Sequence, residues 1–159
     1  MSVDSEINEI LQREGGFVNN PLDRGGPTAF GIAKVSNPDA WKNGPPTADE
    51  ARAIYRKKYV EGPKFDQIQD PQLQAQLVDF GVNSGPAVAI QKLQQIVGVQ
   101  VDGVLGPATL TAVSQLHPED VSNHLVALRV KMIGQIVSKN PTQLRFLNGW
   151  LDRALQFLS

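Results

Sequence analysis

Residues 14–32 read EGGFVNNPLDRGGPTAFGI: a carboxylate at the foot of a short helix, then a glycine-, asparagine- and proline-rich loop with a second carboxylate and a threonine. Upstream, Ile7, Ile10 and Leu11 recur at i, i+3, i+4, the spacing of one apolar helix face, and Asp4 or Ser5 is placed to cap its start. Gly15 and Gly16 supply the left-handed exit that helix C-termini favour, which puts Glu14 in the last turn. The negative end of the helix dipole and cover from Phe17 both disfavour ionisation there, an arrangement that keeps a carboxyl protonated for use as a general acid. The plainer reading is a solvated surface glutamate. Turns at Asn20-Pro21 and Gly25-Gly26 can carry Asp23 and Thr28 back across a groove from Glu14. Glycosidic cleavage needs such a pair, one group to protonate the leaving oxygen and one facing it to activate water or stabilise the cation. The string is equally ordinary turn chemistry, so spacing alone leaves both readings open.

EGGF followed by NPLDRGGPTAFGI resembles the signature of glycoside hydrolase family 108, the bacterial and phage N-acetylmuramidases. The step of nine residues from Glu14 to Asp23 is also similar to phage-type lysozymes, which use a Glu, an Asp and a Thr from a helix and the hairpin after it. The resemblance implies Glu14 as general acid, Asp23 and Thr28 flanking the anomeric centre, and Asn20 among the substrate contacts. Phe17 stands where the family usually has tyrosine, and Asn20 where it usually has aspartate. If position 20 carries the second carboxylate, this chain has an amide there, and a non-catalytic wall-binding or phage structural protein becomes the alternative. A chitinase-like glycosidase is the other.

The chain has 159 residues, 41% of them hydrophobic, enough for one sizeable core or two small lobes sharing one. No apolar run approaches membrane-spanning length, and MSVDSEINEI shows neither a basic region nor an apolar stretch of a signal peptide. The expectation is therefore no stable membrane association and residence in the host cytoplasm before release to the wall. There are no cysteines, and the two histidines, His117 and His124, make a poor basis for a metal site, so neither metal nor cofactor is expected. Net charge is −1, with nine Lys/Arg against twelve Asp/Glu in residues 1–80 and six against four in 81–159. Such a balance offers no field for nucleic acid.

Residues 33–46 have no clear period, and Trp41 within them either stacks on a sugar face or anchors the core. TADE at Thr47–Glu50 is a capping box opening a helix through Tyr59 to Gly62-Pro63. Asp70-Pro71 starts another, with Leu73, Leu77, Val78 and Phe80 inward. Gly85-Pro86 begins a helix stopped at Gly98, and Gly106-Pro107 begins the next. The string LQQIVGVQVDGVLGPATLTAV is similar to the peptidoglycan-binding motif of cell-wall hydrolases, which implies substrate contacts at Asp102, Gly103, Gly106 and Thr109. From Pro118 a long amphipathic helix turns Val121, Leu125, Leu128, Met132 and Ile136 inward as far as Asn140-Pro141. A last helix carries FLNGWLDR, with Trp150 as a core residue.

Together these readings predict a mainly α, lysozyme-like fold with a small β-hairpin near residues 17–33. Residues 1–78 form a catalytic muramidase-like region, packed with a helical peptidoglycan-binding-like region at 79–159. The expected substrate is the glycan strand of peptidoglycan, cut after N-acetylmuramic acid, and the expected state is a monomer.

Overall fold

In the computed structural model the described residues are 1–22 and 25–159. Helix α1, Val3–Glu14, is capped by Ser2 rather than by Asp4 or Ser5: the Ser2 hydroxyl accepts from the Ser5 amide at 3.2 Å, and the Ser5 hydroxyl accepts from the Ser2 amide at 2.9 Å. The earlier start brings Val3 onto the buried face with Ile7, Ile10 and Leu11. Gly15, at φ +74°, ends the helix with its amide on the Leu11 carbonyl.

Three two-residue strands follow, β1 Phe17–Val18, β2 Thr28–Ala29 and β3 Ile32–Ala33, antiparallel in that order. Phe17 pairs with Ala29 and Val18 with Thr28; Thr28 pairs with Ala33 and Ala29 with Ile32. Phe30 and Gly31 alone join β2 to β3, at φ +51° and +76°. Positive φ at both positions matches the right-handed twist of paired strands, as in type I′ hairpins. The short 3₁₀ helix Pro38–Trp41 then leads to α2, Ala48–Arg56, which opens with the reciprocal Thr47/Glu50 box. Beyond Arg56 the helix widens into a π turn, Lys57–Glu61, closed by the Gly62 amide on the Lys57 carbonyl at 2.9 Å. A Cβ at residue 62 would lie 3.0 Å from that carbonyl oxygen, a tight contact that glycine avoids.

Asp70 accepts from the Leu73 amide at 2.8 Å and opens α3, Pro71–Ser84, the axis of the molecule. Every residue from Leu73 to Gly81 except Gln74 is buried. Helices α4 Pro86–Val97, α5 Pro107–Ser114, α6 Pro118–Lys139 and α7 Leu147–Leu155 follow, with a 3₁₀ turn Pro141–Phe146 before the last. One apolar cluster takes Ile7 and Ile10 from α1, Tyr55 from α2, Leu77 and Phe80 from α3, Leu93 from α4 and Leu125 from α6. It crosses the 78/79 line drawn from sequence, which falls inside α3. No helix among the described residues is long and apolar enough to cross a membrane.

Two expected packings are corrected. The inward face of α6 is Val121, Ser122, Leu125, Val126, Arg129 and Ile133, whereas Leu128 and Met132 are half-buried and Ile136 is exposed. The stripe is rotated because Arg129 occupies a core position and pulls its own side of the helix inward. Trp150 is half-buried, its ring 5.5 Å from that of Phe146, and is not a core residue.

Candidate active site at the end of α1

Glu14 is exposed at the C-terminus of α1, and Phe17, 57% exposed, does not cover it as expected. The carboxyl lies against the β2–β3 turn. A Cβ built on Gly31 would sit 2.9 Å from Glu14 Oε2, 3.1 Å from Glu14 Cγ and 2.8 Å from the Tyr55 hydroxyl oxygen. Tyr55, 6% exposed, donates its hydroxyl to the Phe30 carbonyl at 2.8 Å. Burial first, then the Glu14 charge beside it, push this phenol well above its ordinary range, so it remains a donor.

Thr28 is half-buried in β2, on the same hairpin that supplies Gly31. Asn20 is exposed, and its side-chain oxygen accepts from the Leu22 amide at 3.0 Å, an Asx turn that starts the loop. Asp23, expected to face Glu14, lies outside the described residues. Trp41, a candidate for sugar stacking, is 8% exposed, and its indole N–H donates to the Ile32 carbonyl at 3.2 Å. Buried in this way it anchors β3, and the exposed aromatic here is Phe17, 6.2 Å away between ring centres.

Beneath the site is a charged cluster that sequence reasoning missed. Asp79 is fully buried on α3; its Oδ2 accepts from Arg129 at 2.8 Å, and its Oδ1 from Arg153 at 2.6 Å and Arg13 at 3.1 Å. The same Arg13 nitrogen reaches Glu6 Oε1 at 3.1 Å. Arg129, 2% exposed, has its guanidinium 4.7 Å from the centre of the Phe80 ring and 5.8 Å from that of Phe157. Burial raises the Asp79 carboxyl, but Arg129 and Arg153 outweigh it and hold the group below the usual aspartate range. Burial, followed by the Asp79 charge, pushes Glu6 up to about 7 against the pull of Arg13. A signal was available: Asp79 interrupts the apolar run LVDFGV, where a solvated aspartate has no place. Because Arg13 precedes Glu14, the cluster ties the end of α1 to α3, α6 and α7.

The four residues expected to contact glycan in the second motif lie in the α4–α5 turn, which Gln94 closes. The buried Gln94 carboxamide accepts from the Asp102 and Gly103 amides at 3.0 and 2.9 Å. It donates to Asp102 Oδ1 at 2.8 Å, the Val104 carbonyl at 3.0 Å and the Thr109 hydroxyl at 3.2 Å. Gly103 takes φ +75°, and Gly106 caps α5. The Gln94 hydrogen bond chiefly holds the Asp102 carboxyl below its ordinary range. The spacing thus specifies a stapled turn. Gln94→Ala should cost about 2–3 kcal/mol, since backbone amides lose their acceptor along with the side-chain bonds; a urea midpoint unchanged from wild type would refute the staple.

A surface depression not lined by Glu14 lies elsewhere on the molecule. It measures about 520 Å³ and runs between the start of α3 and α5, lined by Ile68, Leu73, Leu110, Val113 and Leu116 among others. None of its lining residues belongs to the hairpin corner. Glu14 and the hairpin are preferred as the candidate site because they combine an acid with no hydrogen-bond partner among the described residues and a shaped backbone, which the depression lacks.

The family described as Glycosyl hydrolase 108 matches residues 7–85, and that described as Predicted Peptidoglycan domain matches residues 88–155. Among solved structures, that of Brucella abortus SagA is similar at 30% identity and a TM-score of 0.70; the match covers 96% of this chain and 93% of that one. No curated protein matches the chain. The two family segments meet at the α3–α4 corner.

Proposed function

Because this chain belongs to the glycosyl hydrolase 108 family, and is thus a peptidoglycan-related glycoside hydrolase, we propose that it cuts the β-1,4 bond between N-acetylmuramic acid and N-acetylglucosamine. The observation carrying this reading is the placement of Glu14: an exposed carboxyl with no hydrogen-bond partner among the described residues, seated against Gly31. A side chain so placed can reach a glycosidic oxygen. Glu14 protonates the leaving oxygen as the C–O bond breaks, and Asp23, aided by Thr28, stabilises the oxocarbenium-like centre or orients the attacking water.

The reading of an enzyme impaired by its Asn20 is less favoured. The Asn20 side chain serves the turn to Leu22, a job aspartate does equally well, so the amide needs no catalytic explanation. Position 23 is the assigned partner because its nine-residue step from Glu14 repeats the phage-lysozyme spacing and the glycines after it free the backbone to turn toward the groove.

Digestion of purified peptidoglycan followed by borohydride reduction tests the bond and the partner together. Muramitol ends are expected; glucosaminitol ends would mean the other glycosidic bond is cut, and turnover of chitin oligomers lacking peptide stems would favour the chitinase-like alternative. Asp23→Asn should lower the yield of muramitol ends by about 10² or more with binding to the wall polymer retained, the pattern of an interaction made in the transition state. Undiminished yield would remove Asp23 from the mechanism.

A further inference from the structure

Phe30 is a bulky residue held in the left-handed region, a conformation that persists only where the surroundings impose it. Two bonds do so. Its amide donates to the Gly16 carbonyl at 3.4 Å, a long contact, and its carbonyl accepts from the Tyr55 hydroxyl at 2.8 Å. The Tyr55 bond is the shorter and comes from a rigid ring, packed in the core at the end of α2 beside Tyr59, ring centres 5.5 Å apart. Core packing needs only the ring, which phenylalanine supplies. The hydroxyl meets the turn at the point where the Glu14 carboxyl rests: both oxygens lie within 2.9 Å of the place a Cβ on residue 31 would occupy. Glycine at 31 leaves that space for them.

We propose that Tyr55 is a positioning residue for the reaction: by holding the Phe30–Gly31 turn through the Phe30 carbonyl, its hydroxyl fixes the backbone shelf against which the Glu14 carboxyl is oriented for proton donation. The proposal rests on the reading of Glu14 as the acid. It follows that losing the hydroxyl releases the turn, lets Glu14 move, and lowers the rate of the chemical step without touching the substrate. A misplacement of about 1 Å in a reacting group costs up to roughly 10²-fold.

The test uses soluble glycan chains from peptidoglycan and compares Tyr55→Phe with Glu14→Gln. Tyr55→Phe should fold and melt close to wild type, lose about 10- to 10²-fold in kcat, and keep KM within about twofold. Adding Phe30→Asn, which tolerates the left-handed conformation, should recover part of the lost kcat, because a relaxed turn no longer needs the hydroxyl. A purely structural role for the hydroxyl would produce neither the split nor the rescue. Unchanged kcat in Tyr55→Phe beside an inactive Glu14→Gln overturns the proposal and leaves the acid in place; full activity in Glu14→Gln overturns the acid reading itself. A rise in KM alone, failure of Tyr55→Phe to fold, or absence of rescue each rejects the positioning role.

Discussion

Replacing Glu14 with glutamine should lower turnover on purified peptidoglycan by about 10²- to 10⁴-fold while leaving the protein folded. The side chain is exposed, lends no hydrogen bond to the fold among the described residues, and lies against the hairpin at Gly31. An amide of the same shape keeps that contact, so the change in stability should stay within about 0.5 kcal/mol, as for surface sites. What glutamine cannot do is give up a proton as the leaving oxygen departs. Turnover assays at matched concentration, with circular dichroism as the folding control, decide the matter. Lysis by a folded Glu14→Gln protein at the wild-type rate would move the acid elsewhere.

Asp79→Ala should be the most damaging single change to the fold, at about 3–5 kcal/mol, the cost of removing one member of a buried ion pair. Arg129 suffers most, since at 2% exposure it has no water to turn to and already leaves one guanidinium nitrogen, Nη1, without a hydrogen-bond partner among the described residues. Arg13 and Arg153 lose their shared acceptor as well. Against a total stability of about 5–15 kcal/mol such a loss leaves little margin.

The pH dependence of stability should change too. Asp79 is held below its ordinary range, so its contribution is present above about pH 4 and fades as pH falls further. Glu6 is raised to about 7 from 4.5, so the folded protein binds the extra proton between those values, and stability declines as pH rises through that window. The pair therefore favours mildly acidic solution. In Asp79→Ala burial still lifts Glu6, but the added repulsion from Asp79 is gone and Arg13 remains beside it, so the decline between pH 4.5 and 7 should shrink. Urea unfolding at several pH values reads both effects; a loss under about 1 kcal/mol with an unaltered pH slope would contradict the account of the cluster.

The parts of the fold that were legible in the sequence are those set by neighbours in the chain. Proline after aspartate or glycine marks the starts of α3, α4 and α5 because the ring fixes φ and its missing amide is not needed there. The Thr47/Glu50 box opens α2, and the glycines around residues 25–31 signal a hairpin. Glu14 was legible as an acid in a last turn. Tyr55 was not, because it acts on a carbonyl 25 residues away, and nothing in ARAIYRKKY distinguishes a tyrosine needed for its hydroxyl from one needed for its ring. The α6 stripe was misphased for a related reason. Treating every charge as outward rotates the helix away from Arg129, whose partner Asp79 lies 50 residues earlier. The DGVLGPAT string encodes a turn closed by Gln94, and a turn and a ligand site look alike when only spacing is seen.

The cluster around Asp79 also bears on how the molecule comes together in time. Its bonds to Arg13 and Arg153 close loops of 66 and 74 residues on one oxygen atom. Closures of that length carry an entropic cost that neighbouring helices do not face, so the α3–α4 corner has the advantage in forming first, with the three arginines converging late. Interactions absent from the folding transition state set the rate of escape from the native state more than the rate of arrival. The loss in Asp79→Ala should accordingly appear mainly on the unfolding limb of a denaturant chevron: the buried carboxylate governs how long each folded molecule lasts, and has little say in how quickly it forms.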